Sequence, residues 1–159
     1  MADRATLFRH AMAALCSGVA VVTARDDGAP CGLVATSISS FSAEPPSVLA
    51  SIGHSSRCHT ALAESEHFGV HLLSAGQIPL AHEFAGQGDD KFADFEWQWD
   101  EDVPALGGVL AYLRCRRSAL FELYDHSILI GDLVNGERFD REPLVWMERS
   151  MHWRLEARH

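Results

Sequence analysis

Three stretches of this sequence carry residues whose types and spacing could do chemistry. The first runs from Gly32 to Ser42, GLVATSISSFS. Strand alternation sends Val34, Thr36, Ile38 and Ser40 to one face and Ala35, Ser37, Ser39 and Phe41 to the other. The second face carries Ala-Ser-Ser where a core strand would place Val, Ile or Phe. Small side chains let another backbone or a flat ring approach closely, and free hydroxyls can bond to it. A solvent-facing strand with its hydroxyls in water satisfies the pattern equally well. The second stretch is GHSSRCHTALAESEH, residues 53–67. It reads as a strand end, a short Gly-Ser loop and a helix capped by Ser55 or Ser56. A helix N-terminus offers free N–H groups and a positive dipole end to a phosphate, and Arg57 adds a cation. An ordinary capped helix has the same sequence signs. The third stretch is Asp125-His126, directly ahead of an apolar strand. A histidine there can project into a cleft and stack on a flat ring or hydrogen-bond to it; a turn histidine in water is the plainer alternative.

Other chemistries find less support. Among the nine histidines, His54 with His59 and His67 with His71 share no visible scaffold. A His-x3-His pair such as His67 and His71 needs a helix to bring both rings to one face, so no metal is expected. The acidic cluster from Asp89 to Asp102 lacks the spacing of a calcium loop. No Gly-x-Ser-x-Gly elbow and no Gly-x-Gly-x-x-Gly helix opening is present. Cys16, Cys31, Cys58 and Cys115 form no Cys-x-x-Cys pair and read as small buried hydrophobes.

These residues need elements to hold them. The apolar spacing predicts a helix over 3–16, capped by Asp3, with Leu7, Phe8, Ala11, Met12 and Leu15 on one face. Strands are predicted at 19–25, 32–42 and 47–52, with a turn at Asp26-Asp27-Gly28 and a stop at Pro45-Pro46. A strand follows at 68–74, and Ser74 to Gln77 fits a capping box for a helix to about Ala85. Residues 86–107 read as a long surface loop. Strands follow at 109–123 and 127–134, with turns at Tyr124-Asp125-His126 and Asn135-Gly136. Leu144–Met147 and Trp153–Leu155 close the sheet. Six or seven strands on mostly hairpin-length connections imply a mainly β, antiparallel sheet or barrel with peripheral helices.

The chain has 159 residues, a net charge of −9 and a pI near 5.4. One domain over 1–159 is expected. The negative field and the lack of a basic stripe argue against nucleic acid. No run approaches the ~18 apolar residues of a membrane span. The N-terminus lacks the unbroken apolar region of a secretory signal, so a cytoplasmic location is expected.

Several segments together resemble the short-chain flavin reductase family, the reductase components of two-component flavin monooxygenases. They are GVAVVTA at 18–24, GLVATSISSFSAEPPSVLASI at 32–52, SSRCHTAL at 55–62, FGVHLLSAGQ at 68–77, Phe84-Ala85-Gly86, Asp90-Lys91-Phe92 and DHSILIGDLV at 125–134. The resemblance implies a Greek-key split β-barrel of the FMN-binding type. It implies NAD(P)H:flavin oxidoreduction, with FMN or FAD reduced by NADH or NADPH and released to a partner monooxygenase. By the same resemblance Ala35, Thr36, Ser37, Ile38 and Ser39 would lie along the isoalloxazine. Ser51, Ser55, Ser56 and Arg57 would hold the ribityl chain and phosphate, and Phe84 and Lys91 would complete the flavin site. His126 would position the nicotinamide, with Arg149 and Ser150 helping to bind the pyridine nucleotide. A homodimer is implied as well. The rival functions are a flavin- or haem-binding carrier or sensor without turnover, and an oxidase that keeps its flavin tightly.

Overall fold

The computed structural model describes residues 3–158; Met1, Ala2 and His159, the ends of the 1–159 expectation, lie outside the described residues. In chain order the elements are α1 (Arg4–Ala13), β1 (Ser17–Gly18), β2 (Ala20–Asp26), β3 (Ala29–Ala35), β4 (Ile38–Ala43), β5 (Pro46–Gly53), α2 (His59–Glu64) and β6 (His67–Leu72). A 3-10 turn at Ala75–Gln77 then leads into α3 (Ile78–Ala85). β7 (Trp97–Asp100), β8 (Val103–Leu106), β9 (Ala111–Leu123), β10 (His126–Arg138) and β11 (Val145–Trp146) complete the chain.

Seven strands make one antiparallel sheet in the order β3-β2-β6-β9-β10-β5-β4. β3 and β4 are consecutive in sequence yet occupy opposite edges. Only Thr36 and Ser37 join them, and three Cα–Cα steps span at most about 11 Å. The sheet must therefore roll until its edges nearly meet. The Ser51 N–H donates to the Ser37 carbonyl at 2.9 Å and ties the crossing to β5. The result is the expected mainly β, antiparallel architecture, an open barrel split at Thr36-Ser37. The expected continuous strand over 32–42 is thus two strands, because the chain leaves β2 to pair with β5.

One core fills the barrel, where Val22, Phe68, Val70, Cys115 and Leu129 meet Leu62 of α2. A second core lies on the outer face, where Val21 and Leu73 meet Leu80 and Phe84 of α3. Successive residues of β2 point to opposite faces, so Val21 and Val22 serve different cores. Side chains at Gly131 and Gly32 are excluded by close approach: a Cβ on Gly131 would collide with Phe68, and one on Gly32 would sit 2.8 Å from the Phe84 ring.

Local signals hold where one interaction settles them. Asp3 caps α1, accepting from the Thr6 N–H at 2.9 Å. The Gln77 side chain accepts from the Ser74 N–H at 3.0 Å, as the capping box requires. Asp27 and Gly28 take positive φ in the first hairpin.

Other expectations change. The 86–107 loop contains the β7–β8 hairpin, because Val103 and Leu106 are buried and Glu101 takes a positive φ at the turn. Asn135-Gly136 is no turn: both residues pair with β9, and a bulge between Leu133 and Asn135 absorbs the mismatch. Gly136 is needed there because a Cβ would lie 2.6 Å from the Tyr112 carbonyl. Trp153–Leu155 forms no strand; β11 pairs only with β1. The cysteines are not all buried thiols. Cys16 is exposed, and Cys31 and Cys58 form a disulfide with Cα atoms 5.8 Å apart. Folding brings β3 to the segment before α2, which no sequence spacing reveals.

Candidate functional site

The side chains picked out in the sequence converge on two neighbouring hollows. The first lies on the open face of β4, β5 and β10. Ser39 stands opposite Leu49, and Ser51 opposite Ile128. Gly53 stands opposite His126. Cross-strand partners share a face, so Ser39, Ser51 and His126 project from the same side of the sheet. A cavity of about 710 Å³ lies over this face. Thr36, Ser37, Ile38, Ser39 and Ser51 form one wall. Phe8, Met12 and Leu15, at and just beyond α1, form the other with Trp146 of β11. Sequence reasoning identified the apolar face of α1 but not what it covers. The contribution of Trp146 had no local signal at all.

His126 stands one step beyond Ser51 along this face. Its Nδ1 is 2.8 Å from the Asp125 carboxylate. The carboxylate accepts, so the proton sits on Nδ1 and Nε2 faces outward toward Gly53, 3.7 Å from the position a Cβ there would take. The hydrogen bond from His126 holds the Asp125 carboxyl below its usual range.

The second hollow, about 380 Å³, lies at the barrel end and is bounded by Ser55, Ser56, Arg57, Phe84 and Lys91. Neither serine caps a helix. The Ser56 hydroxyl instead accepts from the Cys58 N–H at 3.2 Å, closing a tight turn, and α2 begins only at His59 with no side-chain cap. The serine hydroxyls therefore line the hollow and do not seal a helix end. The Lys91 ammonium donates to the Phe84 carbonyl at 3.0 Å. Burial lowers its pKa, and the nearby Arg57 charge lowers it further. Arg57 bonds the exposed Asp89 at 2.7 Å. Two cations brought together in a partly enclosed hollow favour an anion between them. Phe84 is 1% exposed and belongs to the outer core, so it supports this wall from behind.

Four predicted residues sit apart from the cavity walls: His126, one step beyond Ser51 on the same face, and Ala35, Arg149 and Ser150. Ala35 is buried in the barrel core and can offer a ligand only its backbone. Arg149 and Ser150 lie in a tight turn after Trp146, where Glu148 and Arg149 take positive φ. The Glu148 N–H donates to the Ala13 carbonyl at 2.6 Å, which moors this turn to the end of α1 beside the first cavity.

The donor set fits a flat heteroaromatic ring carrying a phosphate. Hydroxyls and exposed backbone line a wide, partly apolar cavity, and cations line a smaller one next to it.

Comparison with known proteins agrees. A family model described as a flavin reductase like domain matches residues 12–154. The chain is 41% identical over 140 residues to the FMN reductase (NADH) SmoA of Agrobacterium fabrum, covering 87% of this chain and 80% of that protein. It is 39% identical over 150 residues to NADH:riboflavin 5'-phosphate oxidoreductase of Streptomyces pristinaespiralis, covering 91% and 85%. Among solved structures, the NADH:FAD oxidoreductase SgcE6 of Streptomyces globisporus, in complex with NAD and FAD fragments, superposes with a TM-score of 0.91. The two are 29% identical, over 98% of this chain and 96% of that one.

Proposed function

This chain belongs to the flavin reductase-like family and is an NADH-dependent oxidoreductase, and from that premise we propose that it reduces FMN or FAD and releases the reduced flavin to a partner monooxygenase. The observation that carries this reading is the open sheet face, which sets Ser39, Ser51 and His126 side by side next to a large cavity. A relative from Rhodococcus opacus, 35% identical over 87% of this chain, is named as the reductase component of a 4-nitrophenol monooxygenase, which supports an oxygenase partner.

Bound flavin supplies the hydride-accepting chemistry. The chain supplies binding, orientation and electrostatics. The small side chains of Ser37 and Ser39 let a flat ring lie against the strand, while hydroxyls and backbone from Thr36 to Ser39 bond its polar edge. Ala35 contributes backbone. Ser51, Ser55 and Ser56 hold the polar chain, and Arg57 and Lys91 neutralise the phosphate. His126, with its Nδ1 proton held by Asp125, presents Nε2 to the nicotinamide. Arg149 and Ser150 reach the pyridine nucleotide from the moored turn. Phe8, Met12 and Leu15 keep water from the ring.

The chain works as one domain and as a homodimer. Leu7 is exposed, as are Phe121, Leu123 and Ile128 of the β9–β10 hairpin, and a second copy covers them. No helix among the described residues is long and apolar enough to cross a membrane.

The test is oxidation of NADH, and separately of NADPH, by flavin-stripped protein given FMN or FAD. Rapid oxidation that depends on added flavin is expected. Flavin binding without oxidation of either nucleotide overturns the reductase reading and leaves a carrier or sensor. His126→Ala should raise KM for NADH more than KM for flavin.

A further inference from the structure

The geometry points to a divalent-metal site of the zinc class at the barrel end, formed by His54, His59 and Glu122. The sequence shows His54 and His59 without a shared scaffold, since the two histidines are not on one helix. The fold joins them by another route. β5 ends at Gly53, and the His54 N–H donates to the Asp125 carbonyl at 2.9 Å, which pins it to the β9–β10 turn. The loop then doubles back, and His59 opens α2. Both imidazoles reach a single hydroxyl. Ser127 Oγ lies 2.9 Å from His54 Nε2 and 2.8 Å from His59 Nε2. Ser127 is fully buried in β10, so this hydroxyl is a fixed anchor between the rings. Its oxygen has two lone pairs, so both rings can donate an Nε2–H to it, which leaves each Nδ1 unprotonated for a metal. The rings stand edge to face with centroids 4.9 Å apart.

Glu122 completes the set. It pairs with Ser127 across the β9–β10 ladder. One ligand atom from each of His54, His59 and Glu122 lies within 4.8 Å of the others. Zinc bonds of about 2.0–2.2 Å hold ligand atoms within about 4 Å of one another. Rotation of the exposed His54 and Glu122 side chains covers that difference. Two neutral imidazoles and one carboxylate suit a borderline cation; there is no thiolate to favour Cu(I), and too few oxygens for Ca²⁺. Solvent access leaves a fourth position for water. The buried Ser127 plays the orienting part that outer hydrogen bonds play in metal sites. The ion would tie both ends of the 55–58 turn, the wall of the smaller hollow, to the β9–β10 turn.

The experiment is titration of metal-stripped, flavin-free protein with Zn²⁺ by calorimetry, and with Co²⁺ by visible absorption. Working without flavin keeps the outcome separate from the reductase reading. One Zn²⁺ per chain and a tetrahedral Co²⁺ spectrum are expected. His54→Ala and Glu122→Gln should each weaken Zn²⁺ by about tenfold or more, while His82→Ala, outside the cluster, leaves it unchanged. Circular dichroism matching the parent shows that these surface variants fold. Absence of Zn²⁺ uptake by the parent, or full-strength uptake by either His54→Ala or Glu122→Gln, overturns the site.

Discussion

The two halves of the seven-stranded sheet are built to different rules. In the β2-β6-β9 half both faces are covered. Residues Ala20–Ala24 of β2 are all buried, and so are Phe68, Gly69, Val70 and His71 of β6. In the β4-β5-β10 half only the barrel side is covered. β4 is largely exposed, and β10 alternates buried Ser127 and Leu129 with exposed His126 and Ile128. The lesson is a division of labour. The doubly covered half supplies the packing that holds the barrel, which leaves the other half free to keep small, hydroxyl-bearing and exposed side chains where a ligand can lie. Uncovered strands of that kind could not hold the fold by themselves.

The comparison breaks most visibly through two phenylalanines. Phe68→Ala, in the covered half, should cost about 3–5 kcal/mol through lost burial and a cavity. Phe41→Ala, in the open half, should stay within about 0.5 kcal/mol because the ring is 58% exposed. Urea unfolding of both variants measures the contrast, and equal losses would erase it.

A second contrast sets His71 against His126. His71 is fully buried, with its Nδ1–H donating to the Val21 carbonyl at 3.1 Å. Burial depresses its pKa to about 4, against a backbone hydrogen bond that raises it. The unfolded chain, with an imidazole pKa of about 6.5, therefore binds more protons between those values. Stability from this residue is complete above about pH 6.5 and is lost as the pH falls toward 4. The loss is roughly 3 kcal/mol over that window. Melting curves of the parent and His71→Gln across pH 7 to pH 4 should converge as the parent loses this advantage. His126 is exposed and should show its effect in nucleotide kinetics, not in stability.

A smaller effect sharpens the functional side. Ser39→Val in the open half thickens the wall against which the flavin ring is proposed to lie. Overpacking of about 1 kcal/mol or more should raise KM for FMN by at least about fivefold, with little change in melting temperature. An unchanged KM would take the ring off this strand.

Much of the fold was legible in the sequence because its signals are local. The hairpin at Asp26-Asp27-Gly28, the capping box at Ser74 to Gln77 and the Asp3 cap each depend on residues within a few positions of one another. The alternation from Gly32 to Phe41 showed which side chains are small, though not that the strand breaks at Thr36-Ser37. That break follows from the rolling of the sheet, in which the far edge of the sheet competes for the same segment. The Asn135-Gly136 pair misled for a related reason. Glycine there answers the close approach of the Tyr112 carbonyl, a contact 24 positions away in sequence. The Trp97–Leu106 hairpin was hidden among acidic residues because its burial comes from partners elsewhere, including Thr23, whose hydroxyl donates to the Pro104 carbonyl at 2.7 Å.

By itself the sequence offered a strand of serines, a Ser-Ser-Arg loop and a histidine beside an aspartate as binding candidates, from side-chain chemistry and near-neighbour spacing; that they, with Lys91, serve a flavin is what the family resemblance implies. Only the tertiary structure decided how they are grouped. It set Ser39, Ser51 and His126 on one face, brought Arg57 and Lys91 together in a second hollow, closed Cys31 on Cys58, and aimed His54 and His59 at Ser127. Each of these pairings joins segments far apart in the chain. Their meeting depends on strand register and the rolling of the sheet, which are set by the packing of both cores together and leave no trace in local spacing.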